Sequence, residues 1–425
     1  MTPSEIDEES TDSETIPESG TVTLTEWSES QPLSLTETDI EFLDQRINTD
    51  TTKLDIEYTG DGHVVLSSSR FVGIAALPDG PTIEVIPKSA GDNFVPLLQY
   101  ANGVEAQTVQ RRTEVQRGTA FLDALAALFV DEVETILQHG LAQAYQRERN
   151  SEEFLRGQLD IQRQLQQQGA AATEFEVNYD ELSANIPANQ GVLYAAMLVK
   201  RIVTDRRLRQ RLDQQITRFR REVAPRQVRP HEFADIEVTR LNEYYRDALR
   251  LAELIVRNVY VEELREGRRG SYGLLINMDE IFEAVVERAF RDAIEQGNQW
   301  DGWQVEGQAN VTGLVTGGNP RVQMRPDLVV RNIVDDVVFT GDAKWKTGTV
   351  RQSDIYQLTA YQLADDVPGA LVYPGQNGAV KTEYTVRGRY PMVVHELPTS
   401  ADVNSFTEFC STVRESAESL LKDLL

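Results

Sequence analysis

The chain has 425 residues, 40% of them apolar and 26% charged. That suits two or three domains with buried cores and excludes a fibrous or wholly disordered protein. No apolar run approaches the roughly 18–20 residues that cross a bilayer, and Met1 opens into Thr-Pro-Ser-Glu rather than a basic, apolar leader. A cytoplasmic protein with no membrane partner is expected. The single cysteine, Cys410, excludes a disulfide framework, a zinc ribbon and an iron–sulfur cluster. His63, His139, His231 and His395 are too scattered for a histidine cage, so any catalytic metal must be held by carboxylates.

The net charge of −26 is unevenly spread. Residues 1–45 contain thirteen Asp or Glu and no Lys or Arg, and the whole chain has seven Lys against 35 Arg. An acidic, lysine-poor composition resembles the proteins of salt-loving archaea. Acidity would ordinarily argue against DNA as a partner, but in molar salt the Debye length is only about 3 Å and local patches decide.

In chain order, residues 1–32 read as an acidic disordered tail with few apolar anchors. Residues 33–115 form a small β-rich module: Val64-Val65-Leu66, Val72-Gly73-Ile74 and Ile83-Glu84-Val85-Ile86 read as strands between turn residues. Residues 116–268 are helical by apolar spacing, with helices across Phe121–Leu137, Asn189–Arg221 and Arg240–Val261. Residues 201–229 hold ten Arg against Asp205, Asp213 and Glu222. They suit either a solvated helix face or a phosphate-contacting patch. Residues 269–425 return to a mixed α/β pattern: a helix through Ile281–Phe290, strands at Val305, Val311, Leu328–Val330 and Val337–Phe339, a helix at Ser353–Ala364, strands at Ala370–Tyr373 and Met392–Val394, and a closing helix at Val403–Leu424. Cys410, Trp300, Trp303 and Trp345 are expected to be packing residues.

The chemistry is concentrated in Arg325-Pro326-Asp327-Leu328 and Thr340-Gly341-Asp342-Ala343-Lys344-Trp345-Lys346. Asp342 and Lys344 lie two apart in a strand-like segment and so share a face. A turn at Asn332–Asp336 lets the Asp327 strand fold back beside them. Two adjacent carboxylates repel unless a cation bridges them, and hard oxygen ligands without histidine favour magnesium. Glu283 on the preceding helix is a candidate third ligand, with Glu280 and Glu287 on the same face. Lys344 can orient an attacking water or stabilise charge on a phosphoryl group, and Lys346 is a possible substitute. Asp354, Gln357 and Tyr361 share a helix face, the last two suited to bonding the lysine or a phosphate. A surface hairpin with exposed ion pairs would produce the same residue pattern.

Several motifs carry a family resemblance in consistent order over about residues 35 to 425. They are Gly73-Ile74 with Thr82-Ile83-Glu84-Val85-Ile86-Pro87-Lys88, then Phe154-Leu155-Arg156-Gly157-Gln158-Leu159-Asp160. Next come Tyr179-Asp180-Glu181-Leu182 with Asn189 (Asn185 standing where an acid is expected) and Met278-Asp279-Glu280-Ile281-Phe282-Glu283. With Asp327, Asp342 and Lys344, the block Asp279–Lys346 resembles the PD-(D/E)xK nucleases, and the chain resembles the McrC family. The resemblance implies a Mg2+-dependent endonuclease subunit of a restriction complex acting on double-stranded DNA with modified cytosine of the 5-methylcytosine type. Asp327, Asp342 and Glu283 would be metal ligands, Lys344 the catalytic lysine, and Gln357 and Tyr361 accessory. It also implies an McrB-like AAA+ GTPase ring as partner, on which the 33–115 module docks to stimulate GTP hydrolysis. The chain has no Gly-x-x-x-x-Gly-Lys-Ser/Thr loop of its own, so GTP would be used by the partner. Arg156 is a candidate for that stimulation, or a structural ion-pair partner. Two alternatives stay open: a non-catalytic assembly and activator subunit, and a stand-alone DNA repair nuclease.

Overall fold

A computed structural model of the chain describes residues 20–90, 93–105, 119–168, 173–261, 271–309, 314–315, 317–318 and 324–425. The first elements are β1 (Thr21–Thr25), α1 (Glu37–Phe42), β2 (Leu54–Tyr58), β3 (Val64–Ser68), β4 (Phe71–Ala76) and β5 (Thr82–Ile86). There follow α2 (Phe94–Ala101), α3 (Thr119–His139), β6 (Ala144–Glu152), β7 (Gln158–Leu159), the single turn α4 (Ile161–Arg163), β8 (Phe175–Ser183), α5 (Pro187–Ile202), α6 (Arg206–Phe219) and α7 (Arg246–Asn258). The chain continues through β9 (Val259–Val261), β10 (Tyr272–Asn277), α8 (Met278–Gln296), β11 (Gln304–Gly307), β12 (Leu328–Arg331) and β13 (Val337–Ala343). Last come α9 (Gln352–Asp365), β14 (Gly369–Pro374), β15 (Thr382–Val386), β16 (Tyr390–Leu397) and α10 (Phe406–Leu424). The fold is mixed α/β, as the alternation of periods implied.

Two compact units emerge: Met1–Lys88 with Tyr260–Met278, and Ser89–Val259 with Asp279–Leu425. The first is built on a five-stranded sheet of order β1-β5-β4-β10-β9. Its core gathers Leu43, Ile47, Leu54, Leu66, Ile83 and Leu275. Gly73 in β4 has φ +144°, and a Cβ there would lie 1.9 Å from the Leu274 carbonyl oxygen on β10, so only glycine lets the strands close. Thr36 caps α1 in a capping box with the fully buried Asp39, whose carboxylate accepts the Thr36 N–H and also the backbone N–H groups of Asp79 and Gly80 at 2.9 and 3.0 Å.

The second unit holds a six-stranded sheet of order β11-β12-β13-β14-β16-β15. β13 runs antiparallel to β12 and parallel to β14. On one face α9 packs against β13 and β14, closing a core of Leu358, Leu371, Tyr373, Met392 and Val394. On the other, Phe282 and Phe290 of α8 meet Trp345 and Phe339 at ring-centroid distances of 5.4 and 5.6 Å. Period two explains the division: Phe339, Gly341, Ala343 and Trp345 alternate with Thr340, Asp342 and Lys344. Trp345 and Trp300 are buried as packing residues, while Trp303 and Cys410 are half-buried.

Four expectations are corrected. The tail assigned to 1–32 is ordered at its end: Val22 and Leu24 alternate inward along β1, which pairs in parallel with β5. Residues 1–19 lie outside the described residues. The first unit stops at Lys88, short of 115, and takes β10 back from the block assigned to 269–425, because β10 pairs antiparallel with β4. The middle region is not purely helical, since β6, β8 and β7 form an antiparallel sheet of their own. The polar β6 carries no apolar alternation, whereas Phe175, Val177 and Tyr179 alternate along β8, a strand signal that the helical reading of the region passed over. The strand expected at Val311 falls outside the described residues.

Candidate active site

Leu328 of β12 pairs with Gly341 of β13, so the next cross-strand position sets Asp327 opposite Asp342. This places both carboxylates at one end of the sheet. Asp327 Oδ2 accepts the Ala343 backbone N–H at 2.8 Å. Lys344 lies just past β13, held by its own N–H to the Val372 carbonyl of β14 at 2.8 Å. Its ammonium reaches Asp342 Oδ2 at 2.5 Å. Asp342 is 1% exposed, and neither of its oxygens makes a hydrogen bond of good geometry.

Burial pushes the Asp342 carboxyl up to about 7, with Lys344 opposing and Asp327 adding to the rise. Burial, reinforced by the charge of Glu283, also raises Asp327. Glu283 on α8 is raised by burial, with Gln308 Nε2 donating to its Oε2 at 3.0 Å and the Lys344 charge opposing. Burial works to lower Lys344, but Asp342 and Asp327 outweigh it and hold its ammonium above the usual lysine range. Glu283, Asp327, Asp342 and Lys344 therefore form one electrostatic cluster.

Among the described residues no three His, Cys, Asp or Glu side chains are gathered as an ion's ligand set. The Lys344 ammonium, not a third carboxylate, sits against Asp342. The donor set nonetheless fits a hard divalent cation. Asp342 is a buried carboxylate whose close partner is the Lys344 ammonium, and Asp327 and Glu283 are the acids near enough to perturb it or one another.

On α9, Gln357 Nε2 donates to the Tyr361 hydroxyl at 2.9 Å. That hydroxyl donates to the Arg325 carbonyl at 3.3 Å, two residues before Asp327. Of the two partners expected for these residues, Lys344 or a phosphate, the lysine is not bonded; the pair braces the segment that presents Asp327. Tyr361 is still close enough to feel Asp342, Asp327 and Lys344, although burial is the main cause of its raised pKa.

Lys346 does not join the cluster. Its N–H turns back to the Lys344 carbonyl at 2.8 Å, breaking the strand alternation, and its ammonium bonds Asp354 at 2.8 and 3.0 Å. Asp354 also accepts the Tyr373 hydroxyl at 2.8 Å. Glu287, one turn on from Glu283 along α8 and on the same face, forms an ion pair with Arg291. Gln308 and the Ala343 N–H had no sequence signal: one sits in an irregular segment and the other is backbone.

Arg156 lies 4.0 Å from the Tyr179 ring centroid and 3.6 Å from Glu181, so the structure ties it to its own sheet. Gly157 beside it has φ +73°, and a Cβ there would lie 2.5 Å from the Asn178 carbonyl oxygen.

Residues 66–374 match the family model described as McrBC 5-methylcytosine restriction system component. The chain belongs to that family. The matched span contains Glu283, Asp327, Asp342, Lys344, Gln357 and Tyr361. Among solved structures, the chain is similar to one in a refined half-complex from a tetradecameric assembly of Thermococcus gammatolerans McrB AAA+ hexamers with bound McrC. The TM-score is 0.60 at 18% identity, over 94% of this chain and 100% of that one. At that identity the likeness is one of fold. A chain from the cryo-EM structure of the Thermococcus gammatolerans McrBC complex aligns with TM-score 0.43 and 22% identity, over 64% of this chain and 88% of that one. No curated relative matches the chain. Among the described residues no helix is long and apolar enough to cross a membrane.

Proposed function

We propose that the chain is the nuclease subunit of a modification-dependent restriction complex, a PD-(D/E)xK endonuclease that cuts duplex DNA beside an AAA+ GTPase. The observation that carries the reading is the pairing of Asp327 with Asp342 at the sheet end, with Lys344 on Asp342 and Glu283 close by. A magnesium ion held by Asp327, Asp342 and Glu283 would polarise the phosphate and lower the pKa of a bound water. Lys344, kept protonated by Asp342 and Asp327, supplies a fixed positive charge for a phosphate oxygen or an attacking water. Tyr361 and Gln357 keep the Asp327 segment in place, and burial excludes bulk water from Asp342.

The partner is inferred from the fold likeness to a chain in an assembly of McrB AAA+ hexamers with bound McrC. A second feature supports it. In the β6–β8 region Tyr145, Phe154, Leu155, Ile161 and Leu165 are exposed, more apolar surface than a small sheet leaves to water without a binding partner. This favours docking through the middle region as well as through the first unit.

The test is cleavage of modified and unmodified plasmid DNA in high potassium chloride with magnesium. Wild type, Lys344→Ala and Lys346→Ala are compared, each with and without GTP and the AAA+ protein. Cleavage should need modification, partner, GTP and Lys344, whereas Lys346→Ala keeps measurable cutting. Equal cutting by Lys344→Ala refutes the assignment of the lysine. Cutting by the chain alone makes it a stand-alone nuclease, and faster GTP hydrolysis without any cutting makes it an activator only.

A further inference from the structure

Among the described residues, α6 and its flanks carry a basic stretch on this acidic chain. α6 turns a stripe of Leu208, Leu212, Gln215, Ile216 and Phe219 inward. At 3.6 residues per turn every other position of the helix faces outward, and there the residues are almost wholly Arg, Gln and Thr. Several arginines are consumed by local acids: Arg211 by Asp131, Arg218 by Glu134 and Arg226 by Glu232. Lys200 pairs with Asp213, and Arg209 bonds the Val203 carbonyl. Among the described residues, Arg201, Arg206, Arg207, Arg221 and Arg229 are exposed and form no ion pair. Counting the acids of neighbouring elements that face this region (Asp123, Asp131, Glu134 and Glu232), Lys200 and ten arginines meet seven acids. Across the whole chain 68 acids outnumber 42 bases. A protein with acid to spare that leaves five arginines unpaired in one region is holding them for an anion brought from outside.

We propose that the exposed face of α6, with Arg201, Arg221 and Arg229 beside it, binds the phosphate backbone of duplex DNA. The ligand is the substrate class of the nuclease reading, on which this inference rests. Two features favour DNA over an acidic protein. The outward positions of α6 offer no apolar anchor of the kind that carries protein–protein affinity. The helix is about 21 Å long, and a duplex presents one charge per about 1.7 Å of axis, so one basic face meets a continuous row of phosphates. Exposed Gln210, Gln214 and Thr217 between the arginines add uncharged donors suited to phosphate and sugar oxygens. Such contacts fix position without reading sequence.

The test is binding of a short labelled DNA duplex to the full chain in EDTA, followed by anisotropy as potassium chloride is raised. Each neutralised phosphate contributes about −0.9 to the slope of log K against log salt. The triple variant Arg206→Gln, Arg207→Gln, Arg221→Gln should flatten that slope by roughly two to three units and weaken binding more than tenfold at low salt. The corresponding Arg→Lys triple should keep the slope, which separates charge from misfolding. A control triple on the β15–β16 hairpin, Lys381→Gln, Arg387→Gln and Arg389→Gln, should leave it unchanged. An unchanged slope in the folded Arg→Gln triple overturns the proposal, as does weakened capture of the AAA+ partner with DNA binding intact. The nuclease reading fails separately: DNA binding that depends on these arginines without any cleavage leaves the surface standing and removes the nuclease. Cleavage with arginine-independent binding does the reverse.

Discussion

His395 gives the sharpest pH prediction. It lies on β16, partly buried, with Nε2 2.8 Å from the Ser416 hydroxyl of α10. Burial pushes its pKa down to about 4; Lys381 adds to the fall, while Asp423 and Glu396 oppose it. From an ordinary value of about 6.5 the fold thus favours the neutral ring by about 2.5 units, or roughly 3 kcal/mol at 1.36 kcal/mol per unit. Because the folded pKa lies below the unfolded one, this stability is fully present above about pH 6.5. It drains away as the pH falls toward 4, where the unfolded chain binds the proton first. His395→Gln keeps a side chain that can bond Ser416 but cannot charge. Urea unfolding at constant potassium chloride, at a series of pH values from 7 to 4, should show wild type losing about 3 kcal/mol more than His395→Gln. Other groups titrate in both proteins and cancel in the difference. Parallel loss of stability in the two proteins would refute the reasoning.

Two further outcomes follow from named contacts. Tyr361→Phe removes the brace on the Arg325 carbonyl and should slow single-turnover cleavage about tenfold with DNA affinity unchanged, since small misplacements of catalytic groups are costly. A loss confined to binding would contradict that role. Gly73→Ala sets a methyl against the Leu274 carbonyl and should cost at least about 3 kcal/mol in urea unfolding. Gly60→Ala, with no atom within 4 Å of the added carbon, is the control and should be near neutral.

Much of the site could be read before any fold was known, because its members are close in sequence or tied by a simple period. Asp342 and Lys344 share a face through strand alternation, and the Asn332–Asp336 turn folds Asp327 back beside them. Composition and the alternation of apolar periods were likewise enough for a mixed α/β chain whose catalytic candidates are carboxylates. Contacts between distant segments were beyond local pattern. The Lys346 ammonium goes to Asp354 because the backbone turns at Lys344, which period two cannot anticipate. Tyr361 braces Arg325 only because α9 packs on the face that carries Asp342. Domain limits failed for the same reason: β10 leaves its sequence neighbours to pair with β4, some 200 residues earlier. Residue types and spacing determined which chemistry was available. Strand pairing and helix packing decided which of those residues meet, since they join positions that no local period connects.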